Sequence, residues 1–257
     1  MTLCFRADCV LELILPMHEY VPLQIRLPIL LRLAALAFAL LLSTLKSFGW
    51  CPPPGPTVAC DFLNSDAVFV GKVISTRVVS TLGEEIDGWL YDVRVQELFR
   101  GPRTKTIEVF TENTSGRFPL EVGKQYLLFA AEFDGRLTID CCGNSAELPE
   151  AQAAIRDLHG LKIPKDAAIE GRVSRSGIQD SGVPDIQVII HTDGRTFKVR
   201  SDRDGWFHLH VPPGKYSAKA LQTPHWNIAL SDSADDTRHF DARKGRCARL
   251  QFRADPK

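Results

Sequence analysis

The chain has no basic arm, no block of lysine and arginine, and no acidic tail; its 31 basic and 31 acidic residues balance to a formal charge of zero. A nucleic-acid partner therefore has no electrostatic footprint here. Catalytic signatures are also missing. There is no GxSxG elbow, no HExxH helix, no P-loop and no Rossmann glycine pattern. Aspartates and histidines are frequent between residues 191 and 241, but they fall in turns and polar connections with no nucleophile beside them. Cysteine is sparse, and no CxxC pair offers two sulfurs to one zinc ion. The expectation is a non-catalytic chain without cofactor or metal. Its 44% hydrophobic content excludes wholesale disorder.

The start of the chain has the pattern of a leader. Arg26 and Arg32 precede an apolar run from Leu33 to Leu42, too short for a membrane span but suited to a signal-peptide core. Ser47 and Gly49 are small residues at −3 and −1, which places cleavage before Trp50 and assigns residues 1–49 to a signal peptide. Met17 is an alternative start, since residues 1–16, with Cys4 and Cys9, lack the charge of an n-region. A lipoprotein anchor needs a small residue where Trp50 precedes Cys51. Thiols in an oxidising compartment pair, so the remaining Cys51, Cys60, Cys141, Cys142 and Cys247 fit an exported protein, secreted or periplasmic, that meets a membrane only through its export signal.

From Ala67 onward the pattern is β. Ala67 to Val79 is nearly continuously apolar, as in a strand buried on both faces. Trp89, Tyr91, Val93 and Val95 alternate with Leu90, Asp92, Arg94 and Gln96; Ile107, Val109 and Thr111 continue the period of two. Gln125 to Glu132 is a fourth strand, Asp134-Gly135 a hairpin turn, and Leu137, Ile139 and Cys141 one face of a fifth strand. A helix follows, with Pro149 in its first turn and Ala151, Ala154, Ile155, Leu158 and Leu161 on one stripe. Residues 162–166 form a linker. A second module over 167–257 shows seven short strands, at 169–173, 186–191, 196–201, 206–211, 216–220, 227–230 and 247–252, separated by turns such as Asp193-Gly194 and Pro212-Pro213-Gly214. Residues 231–245 are polar and read as a connection.

Two resemblances sharpen this. Cys51 to Cys60, Asn64-Ser65-Asp66-Ala67-Val68-Phe69-Val70-Gly71, Leu98-Phe99-Arg100-Gly101, Tyr126-Leu127-Leu128-Phe129-Ala130 and Leu137-Thr138-Ile139-Asp140-Cys141 follow one another in the order of the netrin-like domain of tissue inhibitors of metalloproteinases. Residues 50–161 thus resemble that family, which implies a five-stranded OB-like barrel with flanking helices. The family's inhibitors open with a Cys-x-Cys whose first amine and carbonyl chelate the protease zinc. That first position falls here on Gly49, and its disulfide partner on Ser115, so one bridge is missing as a whole. The resemblance implies that Cys51 pairs with Cys141, a bridge worth about 4–5 kcal/mol on the chain-entropy model. Ile169-Glu170-Gly171-Arg172-Val173, Gly182-Val183-Pro184, Ser201-Asp202-Arg203-Asp204-Gly205-Trp206-Phe207 and Val211-Pro212-Pro213-Gly214-Lys215-Tyr216 resemble the carboxypeptidase regulatory-like domain, an Ig- or transthyretin-like β-sandwich. Such modules support or adhere.

The candidate residues follow. Cys51, Cys60, Cys141 and Cys142 are disulfide candidates: either Cys141-Cys142 forms a vicinal ring, or Cys51 pairs with Cys141 and Cys60 with Cys142, leaving Cys247 a free thiol. His208 and His210 share a strand face but have no visible third ligand, so they read as surface residues. Asp202 and Asp204 before Gly205 read as a tight turn rather than a calcium loop, which lacks its later carboxylate. Trp206 points opposite Phe207 and is a ligand-contact candidate with the two histidines. The functional expectation is a binding or scaffold protein acting on an extracellular or envelope macromolecule, protein or glycan. Its alternatives are a metalloprotease-inhibitor-like barrel and a carbohydrate-binding sandwich.

Overall fold

A computed structural model describes residues 51, 55–80, 86–176, 181–231 and 237–257. The signal-peptide assignment, its alternative start at Met17, Cys4, Cys9 and the Gly49-Trp50 cleavage site lie outside the described residues. The chain is mainly β. A short helix α1 (Val58–Asn64) precedes β1 (Ala67–Val79), β2 (Gly88–Arg100), β3 (Thr106–Glu112), β4 (Gln125–Phe133), β5 (Arg136–Thr138) and β6 (Ala146–Glu147), followed by helix α2 (Gln152–Gly160).

The first sheet closes on itself. Its order is β1-β2-β3-β5-β4, and β4 pairs back onto β1, with β6 added along β4. Side chains of one parity fill the interior: Phe69, Val73, Tyr91, Val93, Val109 and Leu128. The opposite parity of β1 and β4 (Val68, Val70, Leu127 and Phe129) is buried as well, under α1 and α2. Hence Ala67–Val70 of β1 and Tyr126–Ala130 of β4 are apolar without alternation. β1 makes three register shifts along β2, which bend the strand as barrel closure requires. Gly71 sits inside this bend, where a Cβ would lie 2.5 Å from a methyl of Val93 and 2.9 Å from the Arg94 carbonyl. The β4–β5 turn has Asp134 and Gly135 both at positive φ, 51° and 73°, the conformation a two-residue hairpin needs.

One strand differs from expectation. β5 ends at Thr138, and Cys141 and Cys142 lie in the turn that follows. The Asp140 carboxylate accepts from the Cys142 amide at 2.8 Å, and Asp61 of α1 accepts from the Asn144 amide at 2.6 Å. These bonds curl the chain away from the sheet.

Among the described residues the second module has eight strands: β7 (Ala167–Arg175), β8 (Gln187–Thr192), β9 (Arg195–Arg200), β10 (Trp206–Val211), β11 (Gly214–Ala220), β12 (Trp226–Leu230), β13 (Arg238–Ala242) and β14 (Cys247–Pro256). They form two sheets, β10-β7-β14-β12 and β13-β11-β8-β9, packed as a β-sandwich around Ile169, Val188, Ile190, Phe207, Tyr216 and Phe252. β13 lies within the polar stretch read as a connection. Only Phe240 and Ala242 of its five residues turn toward the core, so its apolar signal is faint.

Candidate functional site

The barrel and the sandwich meet along α1, and the seam is built from its short sequence. Thr57 is the N-cap, its hydroxyl accepting from the Cys60 amide at 3.3 Å. The same hydroxyl donates to the Glu170 carboxylate on β7, and the Thr57 amide donates to Glu170 at 3.1 Å. Glu170 is only 2% exposed. Its position at a helix N-terminus suits a carboxylate, since free amide groups and the helix dipole favour negative charge there. At the other end, Arg100 of β2 donates to the Phe62 carbonyl at 3.0 Å and Arg246 donates to that of Asn64 at 2.7 Å. Arg246 also pairs with Asp66 at 2.5 Å. Asn64 completes the joint by bonding both the amide and the carbonyl of Cys247, each at 2.9 Å.

A disulfide between Cys60 of α1 and Cys247 of β14 crosses the middle of this contact. Around it lies a cavity of about 360 Å³ lined by Thr57, Ala59, Leu161, Glu170, His208 and His210 among others. The linker residues Lys162 and Pro164 also line it.

The register of the sheet places the polar side chains outside. Trp206 lies opposite Arg172, His208 opposite Glu170 and His210 opposite Ala168; in parallel register β14 sets Arg249 beside Glu170. The His208 and Arg249 side chains approach the Glu170 carboxylate at 3.9 and 3.8 Å. Trp206 stacks on His208 with 15° between the planes, and the Arg172 guanidinium lies 5.3 Å from the indole centre. Chemically this is an aromatic surface, with the buried Arg172 guanidinium beside its indole, next to a half-open, mostly apolar hollow. It can hold a ligand by stacking and hydrogen bonding.

No protein-family model matches the chain, and no curated protein matches it. Solved structures do. One is a DUF3823 family protein from Parabacteroides merdae ATCC 43184, with 15% identity, 35% of this chain and 46% of that chain covered, and a TM-score of 0.27. A second is the Bacillus anthracis TIE protein, with 11% identity, 75% and 35% covered, and a TM-score of 0.30. A third is GBS52, the minor pilin in the gram-positive pathogen Streptococcus agalactiae, with 8% identity, 75% and 84% covered, and a TM-score of 0.31. The chain spans less than half the length of the first two. At such TM-scores the likenesses carry no argument about what the chain does.

The expected sites divide. Trp206, His208 and His210 come together on the sheet face as their spacing implies, and the two histidines are exposed while Trp206 is half-buried. Asp202 and Asp204 form a turn: one Asp202 carboxylate oxygen accepts from the amides of Asp204 and Trp206, both at 2.9 Å. The cysteine pairing is corrected. Cys51 bonds Cys142, Cys60 bonds Cys247, and among the described cysteines Cys141 is the free thiol. Two reasons account for the change. In an extended strand neighbouring side chains face opposite ways, whereas the turn after β5 swings Cys141 and Cys142 together toward Cys51. Cys247, in turn, faces α1 across the seam, a contact that the period of a strand does not reveal. Among the described residues, two groups combine metal-ligand types, Cys51 with Cys141 and Cys142, and Cys60 with Glu170 and Cys247. Four of these cysteines are held in disulfides.

Sequence reasoning missed α1, Glu170 and Arg246. A signal for the helix was present, a Thr at position 57 with Asp61 in the first turn.

Proposed function

We propose that the chain is an exported, non-catalytic binding and scaffold protein whose macromolecular ligand docks on the outer face of the β10-β7-β14-β12 sheet, beside the seam. The observation that carries this reading is the stack of Trp206 on His208, the latter also lining the Glu170 cavity. The joint under it is tied by a disulfide and by charged groups at both ends of α1, so the platform has a firm base. Two disulfides support an oxidising compartment, secreted or periplasmic. The closed β1-β2-β3-β5-β4 order supports the likeness to the netrin-like domain, and the eight-stranded sandwich that to the carboxypeptidase regulatory-like domain.

The stacked indole favours a glycan over a protein as ligand, because an aromatic face complements the apolar face of a sugar ring. A glycan array with the oxidised full chain tests this. Trp206→Ala is expected to lower binding at least tenfold while leaving the melting temperature within about 3 °C, as one half-exposed side chain away from the core allows. Binding equal to wild type in Trp206→Ala would remove the platform from the account. The inhibitor alternative needs a cysteine at the mature N-terminus; N-terminal sequencing that finds Cys51 as residue one would favour it over a glycan role, and finding Trp50 first would leave it without its chelating group.

A further inference from the structure

Beyond the seam, a second cluster of reactive groups lies at the other end of the N-terminal segment. Cys51 is bonded to Cys142, and the Cys141 sulfur stands 3.0 Å from the Cys51 sulfur. All three sulfurs lie within 4.8 Å of one another, and all three residues are half-buried. The turn that presents them is held from several sides. The Cys141 amide donates to the Gly116 carbonyl at 2.9 Å, the Cys142 amide to Asp140, and Asn144 bonds both Asp61 and the Pro56 carbonyl. Proline 56 belongs to the segment that carries Cys51, so the two sides of the cluster are kept together even without the bridge.

We propose that Cys141, Cys51 and Cys142 form an intramolecular thiol–disulfide exchange site with two interchangeable bridges. The Cys141 thiolate attacks the Cys51 sulfur. A Cys141–Cys51 bond forms as the Cys51–Cys142 bond breaks, and Cys142 leaves with the electron pair and takes up a proton from water. No oxidant or reductant enters, because one thiol and one disulfide are present before and after. The two bridges close loops that differ by a single residue, so loop-closure entropy does not choose between them. Either bridge ties residue 51 to the same turn, and the barrel is unchanged. What moves is the free thiol, from position 141 to position 142. The vicinal Cys141–Cys142 bridge is a different matter, since it would release Cys51 and the tether with it. Burial first, and then the Asp140 carboxylate, hold the Cys141 thiol above its ordinary range. The thiolate is therefore scarce at neutral pH, and exchange is slow enough to be stopped by acid.

The test uses the purified, oxidised full chain. Samples are quenched in acid at intervals, digested with an acid protease and capped with a maleimide. Fragmentation between residues 141 and 142 then reads which one carries the cap. Caps on both positions, within about tenfold of each other, are the expected result. A cap confined to one position at every time overturns the proposal. Cys142→Ser adds an independent reading. It is expected to form the Cys51–Cys141 bridge and to melt within about 3 °C of Cys141→Ser, whereas two free thiols in that variant would also overturn it. Should Cys142→Ser fail to fold, the wild-type caps decide.

Discussion

The barrel and the sandwich cover their outer surfaces to different extents. The barrel spends the outside of β1 and β4 as a second apolar wall, covered by α1 and α2. The sandwich covers only part of the outside of its β10-β7-β14-β12 sheet: Ala168, Glu170 and Cys247 are buried at the seam, whereas His208 and His210 stay exposed. Charge divides them too. Residues 51–161 hold ten basic and sixteen acidic side chains, and residues 167–257 hold fifteen and eleven. A neutral total thus conceals an acidic module joined to a basic one. The lesson is that surface available for a partner differs between them: the barrel wall serves internal docking, whereas the sandwich face serves an outside ligand in the reading proposed above.

The contrast is broken most severely by removing the covalent link. Cys60→Ser with Cys247→Ser deletes a bridge between positions 187 residues apart, which the chain-entropy model values at about 5 kcal/mol. The expected outcome in calorimetry is a fall of about 10 °C and the splitting of one transition into two, one for each module. A single transition would mean that the buried polar joint suffices to couple them.

Glu170→Ala is expected to cost about 1–2 kcal/mol, because it leaves the half-buried Thr57 amide and hydroxyl without their acceptor. Glu170→Gln should cost less, since the amide oxygen still accepts. Hydrogen exchange at residues 58–64 reads the effect directly. Fast exchange there with an unchanged barrel would show that the loss lies in the seam.

Two carboxylates near α1 sharpen the comparison through pH. Asp66 faces the seam. Burial alone would push its carboxyl up, but the Glu132 amide, the Arg246 guanidinium and the charge of Arg100 outweigh burial and hold it below its ordinary range. Its contribution is therefore complete above about pH 4 and fades as pH falls through the lowered value. Asp61 lies inside the barrel's own joint. Burial raises its carboxyl despite the Asn144 bonds, with Asp140 adding to the rise. The folded state then binds the proton more readily, so Asp61 favours folding at low pH and loses that advantage as pH rises through the raised value. At pH 7, Asp66→Asn should cost about 1 kcal/mol. Asp61→Asn should be neutral or slightly stabilising. Urea unfolding at pH 7 and pH 3.5 separates them, and equal pH slopes for the two variants would contradict this assignment.

Much of the barrel was legible because its strands are long and either alternate or stay apolar throughout. Asp134-Gly135 identified its hairpin for the same reason, a residue pair suited to positive φ. Helix α1 was not legible: seven residues give under two turns, too few to display a period. Its role also depends on Glu170, Arg246 and Cys247, all more than a hundred residues away in sequence. Strand β13 escaped for want of apolar residues. At the candidate site, the alternation of Trp206, His208 and His210 announced a shared face, but nothing local announced that Glu170 would be buried beneath a helix from the other module.

The bridge from α1 to β14 also bears on how such a chain matures. A polypeptide made from its N-terminus completes Cys51, Cys60, Cys141 and Cys142 while Cys247 is still about a hundred residues from being made. Throughout that interval Cys60 has only early neighbours to bond, and any linkage it makes with them must later be undone. Native pairing is thus decided last, by the arrival of the final strand, and a chain cut short before residue 247 carries an orphan sulfur at its centre.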